Sequence, residues 1–203
     1  MSVDPRSWLF IPGDSAKKLA KAADCGADAV IIDLEDSVAP AAKANARALT
    51  VDFLRRNHAG APHGEAGRQG ETGGQRAAGT PQLWVRINPL DHDCAADDVA
   101  AIGAAAPHGI VLPKAEGPGD VARLSAMLDA LGGAAAAIRI HAIATETPRA
   151  IFRLGDFAET SCPRLAAISW GAEDLATAIG ASGNRWADGG FHDAFRHART
   201  LAL

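Results

Sequence analysis

Acidic side chains follow two apolar segments that lie far apart in the chain, and together they have the chemistry of a metal site. Glu146 comes shortly after residues 138–143, and Glu173 and Asp174 come shortly after residues 165–170. Carboxylate oxygens in a groove are the ligands that hard divalent cations prefer. The alternative for either motif alone is that its acids stand in the first turn of a helix, where the helix dipole favours negative charge.

Charged side chains also end three earlier apolar segments. In chain order they are Asp33, Glu35 and Asp36, then Arg86, then Lys114. The carboxyl ends of parallel strands meet at one edge of a sheet, and in TIM barrels the loops at that edge carry the chemistry. Charge that recurs at strand ends is therefore typical of an active face of this kind.

Short apolar segments alternate with helical patterns along the chain. The segments that we predict as strands are residues 7–11, 29–34, 83–87, 109–112, 138–143 and 165–170. The predicted helices cover residues 15–25, about 40–54, 97–105 and about 119–131, one opened by Thr147 and Pro148, one ending near Ile179, and 191–203. Strict strand-helix alternation implies parallel strands with right-handed crossovers.

This alternation predicts the α/β class and the TIM (β/α)8 architecture. Residues 29–34 are almost continuously apolar, as expected when both faces of a parallel strand are covered. A closed barrel has eight units, so we expect a barrel truncated after about six β/α units. Residues 1–203 should form a single incomplete barrel domain. A flexible, glycine-rich insertion without apolar periodicity should interrupt it at about residues 57–82.

The composition excludes several classes of protein. The chain has 203 residues, 48% of them apolar, which is enough for a sizeable core, and its formal charge of -4 does not indicate a nucleic-acid partner. Its three cysteines form no CxxC pair, which favours a reducing compartment. It has neither a signal-peptide pattern nor a run of about 18 apolar residues. We therefore expect a soluble, cytoplasmic protein with no membrane partner.

Six motifs, taken together and in order, resemble the family of the citrate lyase beta subunit, the malyl-CoA lyases and the HpcH/HpaI aldolases. They are RSWLFIPG at residues 6–13, DLEDSV at 33–38, RIN at 86–88, LPK at 112–114, ETP at 146–148 and GAEDL at 171–175. Together they span nearly the whole chain outside residues 57–82. The DLEDSV motif is the most specific of the six.

The resemblance implies an Mg²⁺-dependent enzyme that makes or breaks a carbon-carbon bond next to a CoA thioester. In such an enzyme the residues matching Glu146 and Asp174 are the metal ligands, and the arginine matching Arg86 binds a carboxylate of the oxo-acid portion. The chemistry of the residues agrees, because two carboxylates balance the charge of Mg²⁺ and a guanidinium fork matches a carboxylate. The implied reaction is a reversible Claisen-type cleavage that releases acetyl-CoA and an oxo acid such as oxaloacetate or glyoxylate.

The resemblance also suggests roles for the other charged residues. We count Glu35 and Asp36 with Arg86 among the catalytic residues, either orienting metal-bound waters and Arg86 or capping their loop. Candidate substrate-binding residues are Arg86, Glu146, Arg6, Lys114 and Glu173. Arg6 and Lys114 would contact either the phosphates of CoA or the acidic cluster, or would form a plain salt bridge.

Three alternatives stay open. The same fold and metal site would also serve a thioesterase of malyl-CoA type or an aldolase that acts without CoA. Members of the family continue for about two more units and carry there a catalytic aspartate that acts in a neighbouring subunit; no residue here matches it, so a catalytically silent subunit is the third alternative. An open barrel exposes sheet edges, and we therefore expect a homo-oligomer, a trimer or a hexamer.

Overall fold

A single parallel sheet organises the computed structural model, which describes residues 5–58, 80–159 and 161–203. The strands are β1 (Trp8–Pro12), β2 (Ala29–Asp33), β3 (Gln82–Arg86), β4 (Gly109–Leu112), β5 (Arg139–Ile143) and β6 (Leu165–Ser169). Each strand pairs in parallel with the next one in the chain, so the spatial order is the sequence order. This arrangement confirms the predicted α/β fold, with six consecutive units of a TIM barrel and β1 and β6 at its two edges.

A helix follows every strand, and short 3₁₀ turns lie before or after some of these helices. They are α1 (Ala16–Leu19), α2 (Lys43–His58), α3 (Ala95–Ala105), α4 (Pro118–Leu131), α5 (Pro148–Phe152), α6 (Glu173–Ala178) and α7 (Asp193–Ala202). The 3₁₀ turns are Ala22–Asp24, Pro40–Ala42, Gly133–Ala137 and Leu154–Glu159. None of the helices in the described ranges is long and apolar enough to span a membrane.

Two predicted boundaries differ from the structure. The helix predicted over residues 15–25 is divided into α1 and a 3₁₀ turn before Gly26, which has a φ of +73°. The helix predicted to end at Leu54 continues to His58, so the first two residues of the predicted insertion belong to α2 and its last residue, Gln82, begins β3. Residues 59–79 of that insertion lie outside the described residues.

The sheet has an apolar layer on each face. On the outer face, side chains such as Val30 and Ile32 of β2 are fully buried in the larger cluster, to which α2 and α3 contribute Leu54 and Ile102. On the inner face a smaller cluster forms around Trp84; its other members are Ala29, Ile31, Val111 and Ile143, with Trp8 against it. Burial on both faces explains why β2 and β4, which are buried along their whole length, are almost continuously apolar.

Gly109 makes room for the largest side chain of the inner layer. A Cβ atom at this position would lie 2.1 Å from Cζ3 of Trp84, a distance at which no side chain fits. The backbone of β4 can therefore pass directly beside the indole of β3, with which it is paired at this residue. Close approach of this kind is a common reason for glycine inside a strand.

His141 of β5 points into the same inner layer. Its ring lies 5.4 Å from the ring of Trp8 and 6.2 Å from that of Trp84, in both cases edge-on. Both ring nitrogens are buried and have no hydrogen-bond partner. Burial therefore lowers the pKa of His141 to about 4, and the imidazole is neutral at neutral pH, as expected for a histidine packed inside the barrel.

The neutral state of His141 should make folding stability depend on pH. An unfolded histidine binds a proton below about pH 6.5, whereas folded His141 resists protonation down to about 4. The unfolded state therefore gains protons first, and stability falls as the pH drops from about 6.5 towards 4, by about 1–3 kcal/mol in total. Urea titrations of wild type and H141L across this range should show a smaller pH dependence in the variant.

The exposed histidine of α7 supplies the control for this experiment. His197 is exposed on α7, so H197Q should retain the pH dependence of the wild type. If H141L and H197Q both lose stability on acidification as steeply as wild type, another group causes the acid sensitivity of the fold.

Candidate functional site

The charged strand ends surround an open cavity of about 690 Å³ at the carboxyl edge of the sheet. Among its lining residues are Asp36, Arg86, Glu146, Glu173 and Asp174. Glu35 and Lys114 contact this group directly, through ion pairs with Arg86 and Asp174. The parallel register explains the assembly, because it places the ends of β2, β3, β4, β5 and β6 side by side.

Glu146 and Asp174 meet in this cavity. Both carboxyl groups line it and interact with each other electrostatically, although they are separated by an entire β/α unit. Glu146 is only 4% exposed, whereas the side chain of Asp174 is 27% exposed. Burial, together with the nearby Asp174 carboxyl group, raises the pKa of Glu146 to about 8. Two acids held this close favour a shared proton or a shared cation.

A buried threonine joins the two loops that carry these acids. The hydroxyl of Thr145 accepts a hydrogen bond from the backbone N–H of Gly171 at 2.9 Å and lies 3.3 Å from its carbonyl oxygen, to which it donates. Gly171 also leaves the space that Glu146 occupies, since a Cβ there would lie 3.0 Å from Cγ of Glu146. The end of β6 is thereby held against the end of β5, with Asp174 facing Glu146.

Arg86 is fixed by acids of the β2 loop. Its Nε and Nη2 atoms donate to the two carboxylate oxygens of Asp33, each at 2.7 Å. Its Nη1 atom lies 2.9 Å from Oε2 of Glu35, without the alignment of a hydrogen bond, and 3.4 Å from Oδ2 of Asp36. The guanidinium also lies over the ring of Phe10, 5.1 Å from its centre. One edge of the guanidinium is thus occupied by Asp33, its Nη1 atom contacts Glu35 and Asp36, and the side chain lines the cavity.

The pairing sets the ionisation of both partners. Burial disfavours the charged form of Asp33, but the hydrogen bonds and charge of Arg86 outweigh it and lower the pKa of Asp33. Burial likewise opposes the charge on Arg86, and the carboxylates around it raise its pKa. Burial raises the pKa of Glu35, and its pairing with Lys114 and Arg86 offsets only part of that effect. The Asp33–Arg86 pair is therefore ionic at neutral pH.

Lys114 connects the two acidic groups of the site. Its backbone N–H donates to Oε2 of Glu146 at 2.5 Å, and its ammonium contacts Oε1 of Glu35 and, at 3.2 Å, Oδ1 of Asp174. Burial acts against the ammonium, yet Glu35 and Asp174 raise the pKa of Lys114. The residue has a φ of +52°, a left-handed conformation that costs about 1 kcal/mol or more. In this conformation the backbone N–H and the ammonium of Lys114 both contact the acids of the site.

The site carries an excess of negative charge. Among the described residues that line or contact the cavity, there are two cationic side chains, Arg86 and Lys114, and six acids, namely Asp33, Glu35, Asp36, Glu146, Glu173 and Asp174. An anionic substrate would be repelled from such a site unless a further cation were bound there. The paired carboxyl groups of Glu146 and Asp174 fit a hard divalent cation, which takes oxygen ligands.

Mg²⁺ suits this donor set better than a metal that needs a full protein cage. Among the residues that the structure describes, no three His, Cys, Asp or Glu side chains are grouped to hold an ion by themselves. Mg²⁺ is usually held by one or two carboxylates, with water and substrate oxygens in the other positions. Glu146 and Asp174 would supply that pair, and the cavity beside them has room for water and substrate.

Most of the predicted site residues come together, and one does not. Asp36 and Glu173 lie at the rim of the cavity, where both are exposed. Arg6 instead precedes β1, at the opposite edge of the sheet, where its backbone N–H and side chain approach Asp28. The structure therefore does not bring Arg6 into the site, and its contact with a substrate stays a prediction without geometric support.

Two residues that build the site have no role that the sequence pattern predicts. The pattern marks Asp33 only as an acid at the end of its strand, yet Asp33 forms the bidentate pair with Arg86. The parallel register aligns Asp33 with Arg86, so comparing the last residues of neighbouring strands would have found the pair. Thr145 carried no comparable signal, because a threonine before an acid is common in loops.

A protein-family model, described as HpcH/HpaI aldolase/citrate lyase, matches residues 6–67 and 74–201. The chain is 33% identical over 201 residues to the citrate lyase subunit beta-like protein of Mycobacterium tuberculosis, a match that covers 97% of this chain and 58% of that protein. It is also 36% identical over 116 residues to a (3S)-malyl-CoA thioesterase of Cereibacter sphaeroides, covering 57% of this chain and 34% of the relative. The chain thus spans little more than half the length of the first of these curated relatives.

Solved structures resemble the fold as well. One is the crystal structure of the protein CitE from Mycobacterium tuberculosis in complex with magnesium, acetoacetate and coenzyme A. It superimposes with a TM-score of 0.71 at 32% sequence identity, and the match covers 97% of this chain and 59% of that one. The similarity therefore extends over all six β/α units described above.

Proposed function

We propose, from the premise that this chain belongs to the HpcH/HpaI aldolase/citrate lyase family, that it is an Mg²⁺-dependent carbon-carbon lyase of a CoA thioester. The substrate would be of the citryl-CoA or malyl-CoA type, and the products acetyl-CoA and an oxo acid. The observation that carries the proposal is the meeting of Glu146 and Asp174 beside Arg86, in a cavity with an excess of negative charge. The magnesium, acetoacetate and coenzyme A bound by the M. tuberculosis protein support the same class of ligands.

The charged residues then have separate tasks. Glu146 and Asp174 hold Mg²⁺, which supplies Lewis-acid polarisation of the substrate's oxo or hydroxyl oxygen when it is bound. Arg86, which lines the cavity, binds the carboxylate of the oxo acid while Asp33 fixes one edge of the guanidinium. Glu35 keeps Lys114 and Arg86 in place, and Asp36 and Glu173 form the rim.

The bond changes follow from the substrate. In the cleavage direction the hydroxyl of the 3-hydroxyacyl thioester loses its proton and becomes the carbonyl of the oxo acid. The electrons of the broken carbon-carbon bond pass to the carbon next to the thioester, which takes up a proton to give acetyl-CoA. Holding the departing oxo acid at two points, by its carboxylate on Arg86 and by its oxygen near Glu146 and Asp174, orients this bond for cleavage.

A second candidate is hydrolysis of the thioester at the same site. It is favoured by the similarity to the (3S)-malyl-CoA thioesterase over 116 residues. The two candidates share the metal site and differ in the bond that breaks. We also expect copies of the chain to associate as a homo-oligomer, a trimer or a hexamer, because among the described residues no further strand pairs with β1 or β6.

Product analysis distinguishes the two reactions. We expect the purified chain, incubated with malyl-CoA and Mg²⁺, to yield acetyl-CoA and glyoxylate in equal amounts, measured by liquid chromatography and mass spectrometry. Free CoA together with malate would instead establish the thioesterase. The E146Q variant should give neither pair of products. An intact thioester in the presence of chain that has been shown to bind Mg²⁺ would contradict both candidates.

A further inference from the structure

A buried lysine lies directly behind the acidic loop, which we define as residues 33–36. Lys43 is the first residue of α2 and is 8% exposed. Its ammonium donates to the carbonyl oxygens of Leu34 and Glu35, each at 3.0 Å, and to Oδ1 of Asn88 at 2.7 Å. All three N–H donors of the ammonium are therefore engaged, two of them on the backbone of the acidic loop.

Asn88 and Asp98 extend this contact into a buried network. Nδ2 of Asn88 donates to the carbonyl oxygen of Leu34 at 3.1 Å and to Oδ2 of Asp98 at 2.7 Å, and its backbone N–H donates to the same carboxylate oxygen. Both residues are 1% exposed. Arg47 closes the network from the other side by donating to Oδ1 of Asp98 at 2.7 Å. The carbonyl of Leu34 thus receives two donors.

The acidic loop connects this buried network to the charged residues of the cavity. Asp33 accepts hydrogen bonds from the backbone N–H groups of Glu35 and Ser37, at 2.9 and 3.0 Å. The side chain of Glu35 in turn contacts Lys114 and Arg86. A shift of the backbone at Leu34 or Glu35 would therefore move a carboxylate that contacts both Arg86 and Lys114.

Stability alone is a poor reason for an ammonium at this position. Removing an ammonium from water costs several kcal/mol, and an apolar side chain of similar volume often replaces a buried charge without loss of stability. The ammonium does two things that an apolar group cannot do here. It fixes two carbonyl groups in one geometry, and it places a positive charge beneath the crowded acids Asp33, Glu35 and Asp36.

We propose that Lys43, with Asn88, is a positioning residue that holds the acidic loop so that Glu35 can orient Arg86 and Lys114 for the oxo acid. The expected effect on oxaloacetate binding rests on the proposed function, whereas the expected effect on the order of the acidic loop does not. Residues that orient the groups in contact with a metal or substrate typically contribute about 10–100-fold to affinity or activity.

The matched pair K43M and R47M tests the inference. Both variants remove a cation from α2, one helical turn apart, and both residues belong to the same network, but only Lys43 contacts the acidic loop. In the ligand-free full chain we expect the amides of Leu34, Glu35 and Ser37 to exchange hydrogen about ten-fold faster in K43M, beyond any change in global stability. In R47M they should follow global stability alone.

Binding supplies the second measurement. By calorimetry with oxaloacetate in saturating Mg²⁺, K43M should bind about 10–100-fold more weakly than wild type, and R47M within about three-fold. The double variant K43M/E35Q should bind no more weakly than E35Q, because Lys43 acts through Glu35. If K43M does not fold, N88S can replace it, because it removes the other side-chain donor to the carbonyl of Leu34. Amide exchange and oxaloacetate affinity should change in the same direction as in K43M, by a smaller factor.

The two measurements separate the inference from the proposed function. Faster exchange in K43M with a wild-type chain that does not bind oxaloacetate would leave the positioning of the loop established and overturn the proposed function. Loop amides that exchange in K43M as they do in R47M would overturn the positioning role whether or not oxaloacetate binds. Additive losses in K43M/E35Q would show that Lys43 does not act through Glu35 and would also overturn it.

Discussion

E146Q and D174N should each weaken Mg²⁺ binding by the chain by about 100-fold or more. Each substitution keeps the shape of the side chain and removes one of the two negative charges that would balance the cation, and about 1.4 kcal/mol corresponds to each factor of ten. In the metal-free state E146Q should increase the free energy of unfolding. Folding of the wild type buries an acid that is ionised in the unfolded chain, and the amide avoids this cost. Calorimetric titration with Mg²⁺ and thermal unfolding without it measure the two effects.

E173Q is the matched control for these variants. Glu173 is adjacent to Asp174 in the first turn of α6 and is exposed at the cavity rim. The same loss of charge there should change Mg²⁺ affinity by no more than about three-fold, the size of a screened surface interaction. Wild-type Mg²⁺ affinity in both E146Q and D174N would exclude these residues as the metal ligands.

The meeting of Glu146 and Asp174 was predictable because it depends only on strand order. Successive apolar segments separated by helices predict neighbouring parallel strands, and the structure places β5 beside β6 in this way. Whichever residues follow two neighbouring strands must then lie close together. The prediction did not require the length of any helix, and the shortened α1 and the extended α2 left it unaffected.

The support of the site was not predictable in the same way. Lys43 stands at the start of a helix, where a lysine normally extends into solvent, and nothing in its local sequence shows that it is 8% exposed. Its burial depends on how α2 packs behind the acidic loop and on Asn88, which is 45 residues away in the chain. Contacts of this range are set by tertiary packing and leave no local pattern.

Lys114 shows an intermediate case. Its position after β4 predicts that it reaches the active face, either to contact the phosphates of CoA or the acidic cluster or to form a plain salt bridge. The structure places its ammonium between Glu35 and Asp174. The direction of its side chain depends on the left-handed backbone at Lys114, which sequence does not reveal for a residue other than glycine or asparagine.

R86K should have the second large effect, on both binding and stability. A lysine keeps the charge but cannot donate to both carboxylate oxygens of Asp33 while it presents further donors to the cavity. Oxaloacetate affinity in the presence of Mg²⁺ should fall by about 100-fold, and the free energy of unfolding by about 2–4 kcal/mol, because Asp33 is 2% exposed and loses its bidentate partner. Calorimetry and urea unfolding measure these losses.

The loss of stability in R86K should depend on pH. Arg86 lowers the pKa of Asp33 below its ordinary value of 3.8, so the stability that the pair contributes is present above that value and is lost as the pH falls through the lower folded-state pKa. The difference in stability between wild type and R86K should therefore be largest near neutral pH and shrink below about pH 4. A difference independent of pH would mean that packing against Phe10, rather than the ion pair, holds Arg86.

R139K separates the site from the general cost of replacing an arginine in the sheet. Arg139 lies on β5 at the amino edge, where its guanidinium packs over Trp84 and its Nη2 atom donates to Gln82 at 2.8 Å. A lysine at this position loses a comparable planar contact, so R139K should be less stable than wild type. Arg139 does not line the cavity, so R139K should bind oxaloacetate as tightly as wild type does. If R86K and R139K bound oxaloacetate equally well, the carboxylate of the oxo acid would have to be held by Lys114, the remaining cation of the cavity.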